Sequence, residues 1–74
     1  MGKRKNEELL RKIALRIKGL REAKGVTQED FYNDTGIHVG RIESLKRNIS
    51  ITTIEDICNY FDIAISEFFA VGFE

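Results

Sequence analysis

A chain of 74 residues, 42% apolar and 32% charged, has the make-up of one globular domain. At this length folding buries only about 60% of the surface the unfolded form exposes, which leaves no room for a substrate cleft inside a large core. Net charge is zero, which counts against a polyanionic partner, yet the charges are sorted: residues 1–24 carry nine Lys or Arg against three Glu, residues 25–48 three basic against four acidic, and residues 49–74 five acidic and none basic.

From 7 to 24, the apolar residues Leu9, Leu10, Ile13, Ile17 and Leu20 recur with the three-and-four spacing of a helix that buries one stripe. Gly19 inside it costs about 1 kcal/mol relative to alanine, which points to a close backbone contact there. Gly25 ends the helix, with Lys24 in the last turn, where a cation suits the dipole. Thr27 followed by Gln28, Glu29 and Asp30 is an N-cap signature and predicts a second helix from 28 to 33 or 34, with Phe31 buried. Thr35 and Gly36 make a turn. Ile37, Val39, Ile42 and Leu45 form the inward stripe of a third helix over about 37–47, and its polar remainder is His38, Gly40, Arg41, Glu43, Ser44, Lys46 and Arg47.

Asn48 can take the left-handed conformation that closes this helix, leaving 49–52 as an extended connector. Thr52 or Thr53 caps a fourth helix whose Ile54, Ile57, Cys58 and Phe61 share one face, so Cys58 reads as a small core residue. Asp62 ends it. Ser66 and Glu67 start a last turn carrying Phe68 and Phe69, with Val71 and Phe73 behind them. Five short helices with a glycine-marked turn between the second and third make a small all-α bundle, expected to be a single domain over 1–74 with 1–6 as a flexible basic end.

Catalysis lacks parts. The one histidine has no matched cysteine or glycine-flanked serine, and neighbours such as Glu29 with Asp30 or Glu55 with Asp56 point to different sides of a helix. One cysteine and one histidine cannot supply a disulfide or a zinc site, so no enzyme activity, metal or cofactor is expected. No apolar run approaches the roughly 18 residues that cross a bilayer, and MGKRKNEELL lacks a signal-peptide core; the expected location is cytoplasmic, with no membrane partner.

What remains is the helix-turn-helix. A recognition helix must be apolar where it sits on its scaffold and must offer donors and short side chains where it enters the major groove. Arginine matches two acceptors of guanine, so Arg41 is the foremost base reader, with small Gly40 and Ser44 allowing close approach. Gln28 and the backbone amides around it suit a phosphate oxygen, and Lys46, Arg47 and Asn48 would follow the adjacent backbone. The candidate DNA-binding set is completed by Thr27, His38 and Val39. Other readings stand beside these: Thr27 and Gln28 as caps, His38 as a turn residue, Arg41 as a partner of Glu43 or Asp34. The cluster Phe68, Phe69, Val71 and Phe73 either closes the core or forms a dimer interface.

These segments resemble the Cro/cI-type, or xenobiotic-response-element-type, helix-turn-helix repressors. The resemblance runs from about residue 13 to 69 and rests on IALRIKGLREAKGVTQEDF, TGI, KRNIS and TIEDICNYFDIAISEFF, of which LREAKGVTQEDF is the most specific. It implies a five-helix, lambda-repressor-like domain that binds double-stranded operator DNA, usually as a homodimer, to regulate transcription. An antitoxin or restriction-modification controller shares that fold, and a helical protein-interaction module without DNA binding is the rival of another class. The chain departs from the pattern at Tyr32, where the family has a small alanine between the motif helices, at Leu45 or Asn48 in place of a glycine, and by a segment about three residues short between Thr27 and KRNIS. Two registers are open: one places TGI at the family turn with Ile42 and Leu45 in the core, the other makes Glu43 the family's structural glutamate.

Overall fold

A computed structural model describes residues 6–45 and 48–73. The helices are α1 (Glu7–Lys24), α2 (Gln28–Thr35), α3 (Val39–Glu43), α4 (Ile51–Tyr60) and α5 (Ile65–Phe68), with no strand among the described residues.

Asn6 begins α1: its side chain accepts from the Leu9 N–H at 3.0 Å, so it belongs to the helix rather than to a basic end, and Lys3, Arg4 and Lys5 lie outside the described residues. Leu10, Ile13, Ala14 and Ile17 are buried, while Leu9, placed in the stripe by its spacing, is 43% exposed. The close contact expected at Gly19 does not exist, since a Cβ there would meet nothing within 4 Å. At the other end Gly25, at φ 69°, donates to the Glu22 carbonyl at 3.1 Å while Val26 donates to that of Arg21 at 2.9 Å, the paired bonds that close a helix through a left-handed residue.

In α2, Thr27 Oγ1 accepts from the Asp30 N–H at 3.0 Å and Asp30 Oδ2 accepts from the Thr27 N–H at 3.4 Å, a reciprocal capping box. The helix continues to Thr35, past the expected 33 or 34, because Thr35 Oγ1 donates to the Phe31 carbonyl at 2.7 Å. That same hydroxyl accepts from the Ile37 N–H at 3.0 Å, and Gly36 turns the chain at φ 76°.

The third helix is shorter than the expected 37–47. It starts at Val39, after a tight turn in which the Val39 N–H donates to the Ile37 carbonyl at 2.9 Å, and it stops at Glu43. The left-handed step assigned to Asn48 is taken by Leu45, at φ 65°. Helix α4 likewise starts before the expected caps: Ser50 Oγ, not Thr52 or Thr53, accepts from the Thr53 N–H at 3.1 Å, so the segment expected as a connector is already helical at Ile51. The left-handed residue that closes α4, two positions past Tyr60, is Asp62, as the sequence predicts; its φ is 58° and its N–H reaches the Asn59 carbonyl at 3.2 Å, while Ile63 donates to the Cys58 carbonyl at 3.0 Å. An acidic side chain at the negative end of a helix is unfavourable. Asp62→Asn keeps a residue suited to the left-handed region and removes the charge, so we expect a gain of about 0.3–1 kcal/mol, read as a rise of a few degrees in the thermal midpoint. A lowered midpoint would contradict this account of the helix end.

Helix α5 begins at Ile65, one residue before the expected Ser66. Phe31, Phe68, Ile17, Ile57, Val39 and Cys58 are the largest fully buried side chains. Cys58 is 1% exposed, as its pattern predicts, and burial pushes its thiol above the usual pKa, with Arg16 opposing. Of the C-terminal cluster, Phe68 is wholly inside, and the rings of Phe69 and Phe73, at 5.0 and 6.0 Å from it, pack half-buried against the core. Val71 alone of the four stays largely in solvent, 54% exposed. Arg16 fastens this end to α1: its Nε donates to the Phe68 carbonyl at 2.8 Å, its Nη2 to that of Glu67 at 3.0 Å, and its guanidinium lies 5.8 Å from the centre of the Phe68 ring.

Candidate nucleic-acid interface

Five residues make too short a helix to persist alone, so the placement of α3 is set by what holds it. Val39 and Ile42, 1% and 6% exposed, enter the core. Beside them Glu43 meets Arg21 in a two-pronged pair: Arg21 Nε donates to Oε2 at 2.8 Å and Nη2 to Oε1 at 3.0 Å. The third nitrogen, Nη1, donates to the Val26 carbonyl at 2.8 Å, and Gln28 Nε2 donates to Glu43 Oε1 at 3.0 Å. One carboxylate therefore joins α1, the start of α2 and α3. The paired side chains are 9% and 7% exposed, and the bond to Glu43 pushes the Arg21 guanidinium further above its usual range against the opposing cost of burial. Features of both open registers coexist: Thr35 and Gly36 turn the chain with Ile42 in the core and Glu43 binds Arg21, but Leu45, which the first register and the inward stripe also placed in the core, takes the left-handed step after α3 and lies outside the core cluster.

The opposite side of α3 is open. Arg41 is exposed, and the acids that could have held it are engaged elsewhere, Glu43 by Arg21 and Asp34 by the Tyr60 hydroxyl at 2.7 Å. Its guanidinium makes no hydrogen bond or ion pair with a described residue. Arg41, Ser44, Gly40 and His38 line one open cleft together with Gln28, Glu29 and Tyr32 of α2.

Residues 16–73 match the Cro/C1-type HTH DNA-binding domain family. The chain belongs to that family. No curated protein and no solved structure gives a significant match. As a Cro/C1-type domain the chain carries a DNA-binding fold, with α2 and α3 as its helix-turn-helix, and none of its described helices is long and apolar enough to cross a membrane.

Within this Cro/C1-type frame the candidate residues separate. Arg41, Ser44 and His38 are exposed on the cleft, Ser44 with its Oγ donating to the Arg41 carbonyl at 3.1 Å. Val39 is not available as a side-chain contact: because α3 begins there, its side chain turns into the core. At Gly40, Gln28 Oε1 lies 2.9 Å from where a Cβ would stand, so the missing side chain leaves room for Gln28 to reach Glu43. Gln28 and Thr27 are thus engaged inside the fold, as bridge and as cap, although both remain exposed. Asn48 is exposed but borders a different groove, with Gly36, His38 and Ser50. Lys46 and Arg47 lie outside the described residues.

His38 precedes α3 without a side-chain capping bond, and its ring stacks on Tyr32 with centroids 4.2 Å apart and planes at 27°. Sequence reasoning left two cleft residues out of the contact set, Glu29 and, with more consequence, Tyr32. Its departure from the family's alanine was the signal: a ring too large to fit between the motif helices is displaced to their outer edge, 43% exposed.

Proposed function

We propose that the protein is a sequence-specific transcriptional regulator that binds double-stranded DNA, reads the major groove with α3 and acts as a homodimer. The observation that carries this reading is Arg41, exposed and unengaged on a helix whose other side is locked by Glu43. A guanidinium held this way loses no internal partner on meeting guanine, and a rigid support limits the freedom lost on binding. A helix of five residues is only about 7.5 Å long, so discrimination rests on few side chains, with Arg41 foremost and Ser44 beside it. Contacts to the phosphates, from residues such as Lys46 and Arg47, would supply most of the affinity and make it salt-dependent.

Twofold symmetry would set two such helices about one DNA turn, roughly 34 Å, apart. With Phe68 inside the core, the part of the C-terminal end free for a second copy is Val71, which lines a groove with Leu15 and Gly19 of α1. Such a regulator would work in the cytoplasm.

Arg41→Ala is expected to lose about 1–3 kcal/mol of binding, confined to one base position of the preferred duplex, whereas Lys46→Ala or Arg47→Ala weakens all sequences alike and flattens the salt dependence. Fluorescence anisotropy on single-base variants of the duplex measures this, and an unaltered base preference in Arg41→Ala would remove α3 from the reading role. Zero net charge and the contracted α3 favour a protein-interaction module as second reading. That reading predicts no salt-sensitive binding of random duplex at about 50 mM salt.

A further inference from the structure

Resting on that reading, we infer that Tyr32 is a second base-contacting residue, forming with His38 an aromatic platform that takes the 5-methyl group of a thymine next to the guanine read by Arg41. Tyr32 lies outside the core cluster, 43% exposed, and its hydroxyl bonds no described residue. It lines the same cleft as Arg41 and Ser44, although it comes from the other helix of the motif. The near-parallel stack at 4.2 Å holds the phenol and imidazole rings against each other, so the platform is ordered before DNA arrives and little side-chain freedom is lost on contact. One face of the phenol ring is covered by His38, which leaves carbon surface at its other face and edge. In the major groove the thymine methyl is the apolar feature that a flat carbon surface recognises, whereas a guanine offers acceptors that suit the arginine fork. A cleft lined by one charged donor and one flat carbon surface is suited to a step that carries both kinds of base.

The test uses the full chain and the duplex it selects from a random pool, with each thymine replaced in turn by deoxyuridine, which removes the methyl alone. One replacement per half-site should weaken binding about fourfold for the wild type and for Tyr32→Phe. Tyr32→Ala should bind the parent duplex about fourfold more weakly and be insensitive to that replacement, while its thermal unfolding matches that of the wild type because the side chain lies outside the core. Arg41→Ala should keep the deoxyuridine effect and lose its guanine preference. If Tyr32→Ala stays as sensitive as the wild type to every replacement, or if no replacement affects the wild type, the platform is overturned even though a guanine preference that depends on Arg41 would leave the role of α3 standing. Failure to select any duplex overturns both.

Discussion

Glu43→Ala should destabilise the fold by about 3–5 kcal/mol, a large share of the roughly 4–11 kcal/mol that a chain of 74 residues has to lose. The reason is what the truncation leaves behind. Arg21 is 7% exposed and would retain only the Val26 carbonyl among its partners, so a cation would stay buried without its counter-charge. Gln28 would lose its acceptor as well, and with it the link from α2 to α3. Arg21→Ala should cost a similar amount by stranding the carboxylate. The double variant Arg21→Met/Glu43→Leu separates the worth of the pair from the penalty of breaking it, because apolar replacements of similar volume leave no orphaned charge and should recover most of the loss. Urea unfolding of the wild type, Arg21→Met, Glu43→Leu and the double variant closes a double-mutant cycle and gives the coupling directly. A cost below about 1 kcal/mol for Glu43→Ala would show the pair to be as weak as an exposed one.

The second large effect is expected at Phe68, where truncation to alanine should cost about 3–5 kcal/mol. Its side chain is fully buried, meets Phe69 edge-on at 5.0 Å and sits under the Arg16 guanidinium, so removing the ring leaves a cavity that α5, only four residues long, has few bonds to close over. If Phe68 belonged to a dimer interface instead, the loss would depend on protein concentration, because association contributes by mass action. The expected loss is the same at low and high concentration. Val71→Asp, on the exposed side of the same segment, should change monomer stability by no more than about 0.5 kcal/mol. Midpoints that shift with concentration for Phe68→Ala would return that ring to an interface.

Periodicity carried most of the fold. The apolar spacing of α1 and α4 and the cap at Thr27 need only local chemistry, and the bounds of α1 are those the spacing predicts. Where several side chains could perform one task, local reasoning chose wrongly: Ser50 rather than Thr52 caps α4, and Leu45 rather than Asn48 makes the left-handed step, a conformation for which leucine has no local preference. The candidate site was legible as a face and not as individual roles. Arg41 and Ser44 follow from helical spacing, but the burial of Val39 depends on where α3 begins, and the use of Gly40 by Gln28 depends on a neighbouring helix. Glu43 was open between two registers because a contact with Arg21, 22 residues earlier, leaves no periodic trace.

The clasp between Arg16 and the carbonyl of Phe68 joins positions 52 apart. Drawing together so long a stretch of chain costs entropy that only the finished bundle repays, which makes the clasp a late event in folding. A nascent polypeptide can wind α1 early, but the side of it that meets α5 stays wet until the sixty-eighth residue is free to fold back onto it, so the motif acquires its rigidity only once that segment has left the ribosome.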